Sequence, residues 1–349
     1  MFFIRADANK SIGTGHIMRC LSIAEEFRRR GEAVTFITAD NYSEEMIATK
    51  GFPVVCLHSI WNDLDRETES LVETIRTLHI EILLIDSYYV TDLYLRTIRK
   101  YTKVVYIDDV DSFIYPVDLL VNYNMYANDL DYEMRYRKAG FDTQFALGCG
   151  YAPLRTEFSN VHKTVKEKVS DILVTSGGTD NYNVAGNILD LLARQPWFEQ
   201  LNYYIILGRF NLHIEDLKKK WGLHKNVHLL MNVSNISEYM KSCDIAVTAG
   251  GVTTYELCAC GIPSIMYTLA DNQLQIAQMA SEKCFIPWIG DVRGDMENCM
   301  YNIILWLEEL MADKEKRERM SSKMQEIVDG NGCERLVAEI KTYHKLQKA

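Results

Sequence analysis

No apolar run in this 349-residue chain approaches the roughly 20 residues that a membrane-spanning helix requires. Cysteine and histidine nowhere fall at zinc-ligand spacing. The nine cysteines form no disulfide framework, and Cys258 and Cys260 point two ways from one helical pattern. Scattered thiols, odd in number, suit a reducing compartment. The first residues open straight into a strand carrying Arg5 and Asp7, with no signal-peptide core, so a cytoplasmic protein is expected. Positive charge is in deficit, with 38 Lys and Arg against 48 Asp and Glu and a formal net charge of -10. That balance argues against nucleic acid or an anionic membrane as the main partner. It leaves room for an anionic small molecule, because backbone N–H groups bind phosphate without net positive charge. Hydrophobic content of 48% and charged content of 25% are ordinary for a soluble globular protein, and the length suggests about two domains.

What is present is led by Ile12-Gly13-Thr14-Gly15-His16-Ile17-Met18-Arg19-Cys20. A short apolar strand, Phe2-Phe3-Ile4, precedes it. Met18, Leu21, Ala24 and Phe27 then recur at helical spacing up to Gly31, a helix stop. The stretch therefore reads as a strand–loop–helix turn. Gly13 and Gly15 let the backbone pass close to a ligand, the free N–H groups of the helix start face it, and His16 places one imidazole there.

Strands at 33–38, 53–57, 81–86, 103–109 and 118–122 follow, with helical patterns among them at Met46-Ile47 and at Leu71, Ile75 and Leu78. Strand–helix–strand units of this length imply a parallel sheet. Ligands of such sheets bind outside the carboxyl ends of the strands, so the His16 loop, Ser87-Tyr88, Asp108-Asp109 and Asn122 share one rim. An Asp or Asn after a strand also serves as a turn former or cap. Asp109-Val110-Asp111 has the letters of a metal-binding Asp-x-Asp, letters that arise freely in strand-end loops, and no metal is expected.

Residues 147–153 break the periodicity, and a charged segment runs on to Lys168. The expected domains are 1–155 and 156–325, with a C-terminal helix at 326–349. In the second half the opening figure returns as a strand at 171–175, the loop Ser176-Gly177-Gly178-Thr179-Asp180 and a helix through Ile188, Leu189 and Leu192. Strands at 203–207, 227–230 and 244–248 lead to Ala249-Gly250-Gly251-Val252-Thr253-Thr254-Tyr255-Glu256. Two glycines before two threonines are a helix-start signature, and such a start suits a phosphate dianion. Glu256 falls in the first turn, where it either balances the helix dipole or accepts both hydroxyls of a ribose. A strand at 261–267 precedes Asp271-Asn272-Gln273, which opens another helix on the rim. From Glu297 to Lys348 the pattern is three helices with charged faces.

Arg5-Ala6-Asp7 with the run 12–19 resembles the UDP-sugar hydrolase of pseudaminic acid biosynthesis and its relatives in spore-coat polysaccharide synthesis. Ile85-Asp86-Ser87-Tyr88, Asp108-Asp109, Asn122-Tyr123-Asn124, residues 176–180 and Asp271-Asn272-Gln273 match in order, and the likeness spans roughly residues 2–289. The stretch 249–256 is similar to the related N-acetylglucosaminyltransferase of peptidoglycan synthesis. The resemblance implies an α/β protein of two Rossmann-like parallel-sheet domains facing a cleft, the glycosyltransferase-B fold. It makes His16 the catalytic residue. It sets the nucleotide on the C-terminal domain at Gly250, Gly251, Val252, Thr253 and Glu256, with Asn272 and Tyr88 near the sugar. Gly13, Gly15, Arg19, Asn122, Gly177, Gly178, Thr179 and Gln273 complete the substrate-binding set.

The implied reaction is inverting, metal-independent hydrolysis of a UDP-linked amino-deoxysugar, with His16 as general base and neither metal nor other cofactor. Three other readings stand beside it. One is a glycosyltransferase of the same fold, and another is a non-catalytic nucleotide-sugar-binding protein. The third is an NAD-dependent dehydrogenase. Asp40 at the end of the second strand suits it, but Met18 stands where the dinucleotide fingerprint needs its third glycine, and His16 would obstruct the pyrophosphate.

Overall fold

The computed structural model describes residues 1–208, 211–231, 233 and 235–346, the last three by backbone alone. The end of the helical tail read from the sequence, 347–349, lies outside the described residues. The chain forms two compact units, one of Met1–Thr156 with Asn331–Ala349 and one of Glu157–Gly330. Among the described residues no helix is long and apolar enough to cross a membrane.

The first unit is built on seven parallel strands: β1 (Phe2–Ala6), β2 (Val34–Thr38), β3 (Val54–Cys56), β4 (Ile82–Asp86), β5 (Lys103–Ile107), β6 (Leu119–Asn122) and β7 (Gln144–Leu147). Their order is β3-β2-β1-β4-β5-β6-β7. The order reverses between β1 and β4, which pair directly with Phe3 opposite Leu83 and Ala6 opposite Asp86. In doubly wound sheets this switch point opens the ligand crevice. Every residue of β1 and β4 is buried, as expected of strands covered by helices on both faces. Fully buried Leu83, Leu84 and Ile85 each contribute about 1.5–3 kcal/mol by leaving water.

The helix Gly15–Arg29 leaves β1 and buries Ile17, Cys20, Leu21, Ile23, Ala24 and Phe27. It ends as the sequence suggests, with Gly31 at φ +81°, a conformation a side chain disfavours. The last helix, Gly332–Leu346, returns to this unit and packs against it. Cys333 bonds the Leu154 carbonyl at 3.3 Å, and Tyr343 donates to Asp118 at 3.3 Å.

The second unit repeats the plan with six parallel strands: β8 (Asp171–Thr175), β9 (Asn202–Leu207), β10 (Val227–Met231), β11 (Ile245–Ala249), β12 (Ser264–Thr268) and β13 (Trp288–Asp291). The order is β10-β9-β8-β11-β12-β13, so its switch point lies between β8 and β11. Both units thus have the parallel α/β architecture expected. Two strands went unread in the sequence, β7 and β13, each four residues long and each at a sheet edge.

Beneath the rim of the first unit lies a buried charge network. Arg5, fully buried on β1, sets Nε and Nη2 on the two oxygens of Glu67 at 2.8 and 2.7 Å and Nη1 on Asp7. Tyr94 and Ser59 donate to the same Glu67 carboxylate at 2.9 and 2.7 Å, and Asp7 accepts from the Ala39 N–H at 2.8 Å. Removing one partner of a buried ion pair strands the other. Glu67→Ala should therefore cost about 3–5 kcal/mol in urea unfolding. A loss below about 1 kcal/mol would show that Arg5 is adequately held by Asp7 alone.

Candidate active site

The rim of the first unit is organised by the start of the helix Gly15–Arg29. Gly13 takes φ +71° in the loop before it, and no side-chain cap occupies the helix start. His16 is buried, and its Nδ1 lies 2.6 Å from Oδ1 of Asp86, the last residue of β4. Arg19, one turn on, forks onto the same carboxylate, with Nε 2.6 Å from Oδ2 and Nη2 2.5 Å from Oδ1. Its Nη1 reaches Asp109 and the Tyr123 hydroxyl, the latter at 2.6 Å. Tyr88, exposed just beyond β4, sets its ring edgewise to His16 at 4.5 Å between centroids and its hydroxyl 3.4 Å from Asp109.

The electrostatics fix the roles. Burial opposes ionisation of Asp86, but Arg19 and then His16 outweigh it and hold the carboxyl well below the usual carboxylate range. An ionised carboxylate only accepts, so the tautomer this contact selects carries its proton on His16 Nδ1 and its lone pair on Nε2. A buried carboxylate orienting an imidazole is the arrangement that general-base histidines use. The sequence reading put Asp86 on the rim without pairing it to His16. The available signal was an arginine three residues after the histidine, on one helical face and opposite an acidic strand end.

Other rim residues are spent on the fold. Asp108 accepts the N–H groups of Val110 and Asp111, both at 2.9 Å, which is the turn-forming use of a strand-end Asp. Asn122, expected to touch substrate, is fully buried; it donates to Tyr132 at 2.9 Å and accepts from the Asn124 N–H at 3.0 Å. It shapes the loop and presents no exposed group to a ligand. Asp109 and Asp111 are taken by different arginines, Arg19 and Arg135, the second in a fork at 2.8 Å. Among the described residues no group of three His, Cys, Asp or Glu side chains could hold a metal ion.

In the second unit, Gly177, Gly178 and Thr179 are exposed in the loop after β8, and Gly177 takes φ +77°. Asp180 closes that loop by accepting the N–H groups of Val184 and Ala185 at 2.7 and 3.1 Å, which caps the next helix. Tyr267 donates to Ser176 at 2.9 Å and steadies the loop's first residue. Across the switch point, Gly250 is packed so closely that a Cβ would lie 3.1 Å from the Met266 sulfur.

The helix that follows spans Thr253–Cys260, with Val252 before it and Glu256 in its first turn. The glycine–threonine run marks the helix start as the sequence suggests, but neither threonine caps it. The helix begins at Thr253, so both lie inside its first turn, and Thr254 is fully buried with Oγ1 unpartnered among the described residues. The N–H groups of Thr254 and Tyr255 donate to the Gly251 and Val252 carbonyls at 2.9 and 3.0 Å, and among the described residues Val252 gives the helix no side-chain cap. Gln273 accepts from the Leu269 N–H at 2.9 Å with its amide nitrogen close to Gly251, and Asn272 beside it is exposed.

Asp86→Asn should leave the Arg19 guanidinium buried with one carboxylate fewer and cost about 3–5 kcal/mol in urea unfolding at pH 7. The native carboxyl sits below its unfolded value. Its stabilisation is thus present above about pH 4 and lost as pH falls toward the native value. The gap between wild type and variant should narrow in acid, and a constant gap from pH 7 to pH 3 would contradict this.

No family model matches the chain. It is 28% identical over 238 residues to the UDP-2,4-diacetamido-2,4,6-trideoxy-beta-L-altropyranose hydrolase of Campylobacter jejuni, covering 68% of this chain and 80% of that protein. It is 22% identical over 342 residues to the spore coat polysaccharide biosynthesis protein SpsG of Bacillus subtilis, covering 96% of each. An uncharacterised protein of Methanocaldococcus jannaschii is 25% identical over 288 residues, 78% of this chain, and the match spans 56% of that longer protein. Among solved structures, MurG of Acinetobacter baumannii superposes with a TM-score of 0.70 at 12% identity, over 98% of this chain and 100% of that one. The likeness drawn from the loop around His16 is thus met at the level of whole chains: this protein has the glycosyltransferase-B fold, and its relatives by sequence include a UDP-sugar hydrolase and a spore coat polysaccharide biosynthesis protein.

Proposed function

We propose that this protein hydrolyses a UDP-linked amino-deoxysugar at the anomeric carbon, releasing UDP and the free sugar with inversion. The observation that carries the reading is the His16–Asp86 contact at 2.6 Å, which leaves Nε2 as the proton-accepting nitrogen at the mouth of a glycine loop. Water gives a proton to Nε2 as its oxygen bonds to the anomeric carbon. The carbon–oxygen bond to the diphosphate breaks, and UDP departs with the electron pair. Asp86 stabilises the imidazolium so formed.

The start of the helix Thr253–Cys260, with Gly251 and Val252 before it, offers its first backbone N–H groups and a dipole to the diphosphate, while Gly250 gives its own N–H to the Tyr267 carbonyl and lets the chain pass closely. That supports a leaving group stabilised without a metal. Val252 and Thr253 belong to this phosphate cradle, and Glu256 is the partner for the ribose hydroxyls. Gly13, Gly15 and Tyr88 are the further substrate contacts of the first unit, and Gly177, Gly178, Thr179, Asn272 and Gln273 those of the second. The name of the Campylobacter relative supports a diacetamido-trideoxyhexose, destined for a nonulosonic acid or a surface polysaccharide. The nine unbridged cysteines suit a cytoplasmic setting. Transfer to an acceptor hydroxyl is the second reading, favoured by the likeness of residues 249–256 to the peptidoglycan N-acetylglucosaminyltransferase.

Incubation with a panel of UDP-sugars should release UDP with no acceptor added, and turnover should survive EDTA. Release that appears only when an acceptor alcohol is supplied would establish the transferase reading. His16→Asn should lower turnover by about 10²–10⁴ while UDP affinity stays near wild type. Weakened UDP binding with turnover intact would make His16 a phosphate donor and not the base. Glu256→Ala should weaken UDP binding by about 1–3 kcal/mol in calorimetry. If only stability falls, by about 0.3–1 kcal/mol, the carboxylate merely answers the helix dipole.

A further inference from the structure

Arg19 is expected from the sequence to be a substrate ligand, yet four of its five N–H groups are engaged inside the protein. Its side chain is 7% exposed. Nε donates to Asp86 Oδ2 and Nη2 to Asp86 Oδ1, at 2.6 and 2.5 Å. Nη1 serves Asp109 and Tyr123. A guanidinium has five N–H groups; four have these acceptors, and the fifth, on Nη2, lies toward His16 Nδ1 at 3.1 Å, a nitrogen that as donor to Asp86 cannot accept it. At most one N–H, on a side chain 7% exposed, is left for a phosphate or a sugar.

We propose that Arg19 is a positioning residue for His16. Its fork holds the Asp86 carboxylate where that group accepts from His16 Nδ1–H, and its charge offsets the pull of the carboxylate on a proton at the ring. The proposal rests on the reading of His16 as general base.

The charges around the ring support this balance. From the histidine's own helix come Arg19 and Cys20, whose thiol lies 3.4 Å from Asp86 Oδ2. Asp86 comes from β4, Tyr88 from the loop after it, Asp109 from the loop after β5 and Tyr123 from the end of β6. Burial pushes the Cys20 thiol and the Tyr123 phenol above their ordinary values, and Tyr88, exposed along its ring, is raised by the partial burial of its hydroxyl and by Asp109 beside it, so these three are neutral at working pH. What remains is one guanidinium against two carboxylates. Removing the guanidinium leaves two uncompensated negative charges by the imidazole, which favours its protonated form. Removing Asp109 leaves a neutral pair, which disfavours it.

The test uses the full chain as wild type, Arg19→Gln, Arg19→Lys and Asp109→Asn. UDP release is measured against pH with the UDP-sugar panel, and the His16 ring is titrated by ¹⁵N NMR with no substrate present. In Arg19→Gln the acid limb of kcat/KM and the His16 midpoint should both move up by about one to two pH units, with KM near wild type. In Asp109→Asn both should move down. Arg19→Lys keeps the charge but loses the fork; the limb should hold while kcat falls about 10- to 100-fold. A rise in KM with the limb and midpoint unmoved would make Arg19 a substrate ligand and overturn the proposal. If Arg19→Gln fails to fold, Asp109→Asn and Arg19→Lys decide by the same readouts. If no sugar in the panel is split, the hydrolase reading fails. The NMR titration then judges Arg19 separately: moved midpoints support it and fixed ones overturn it.

Discussion

The fixed point of the first unit is a guanidinium that cannot let go of its carboxylates. Arg19 ties the helix Gly15–Arg29 to the end of β4 through Asp86 and to the loop after β5 through Asp109. The imidazole of His16 is held by one of those same carboxylates. Three chain segments distant in sequence thus have their ends set by one planar fork, whose geometry tolerates little displacement. A second buried arginine, Arg5, does comparable work one layer lower, joining β1 to Glu67 and Tyr94. Charges this deep are costly unless every one is matched. That cost explains why the rim carries so many tyrosines and carboxylates in mutual contact.

The two units solve one problem with different chemistry. Each has a parallel sheet, a switch point and a glycine loop leading into a helix whose start has no side-chain cap. At the first switch point the helix start is followed at once by titratable groups, His16 and Arg19. At the second it is followed by Val252, Thr253 and Thr254, which bring no charge, with Glu256 the one acidic group of the first turn. An imidazole moves protons, while a row of N–H groups answers negative charge. Matching backbones thus carry different side-chain content at the two switch points.

Legibility followed the physics of each feature. Strands buried on both faces, such as Ile82–Asp86, read as apolar runs, and the glycine loops stood out because they interrupt those runs. Gln144–Leu147 and Trp288–Asp291 did not, because an edge strand of four residues has a single partner and needs no apolar run. His16 was found because a histidine in a glycine loop is conspicuous. Its partner Asp86, 70 residues away, looked like any acidic strand end. Asn122 was misjudged for the same reason in reverse: its position on the rim was read correctly, but the Tyr132 hydroxyl beneath it was invisible in the sequence. Periodicity reveals where a residue sits, and only packing reveals what it is already bound to.

The helix Gly332–Leu346 has a consequence for how the chain comes into being. The first unit is discontinuous: residues 1–156 are completed by the helix Gly332–Leu346, while the second unit is one unbroken stretch between them. During synthesis the second unit emerges whole and can fold at once. The first unit keeps one flank open until then, because Leu336, Val337 and Ile340, all buried in the finished protein, follow the second unit off the ribosome. The histidine-bearing helix, against which that segment packs, therefore has its surroundings completed only after the whole second unit has been made.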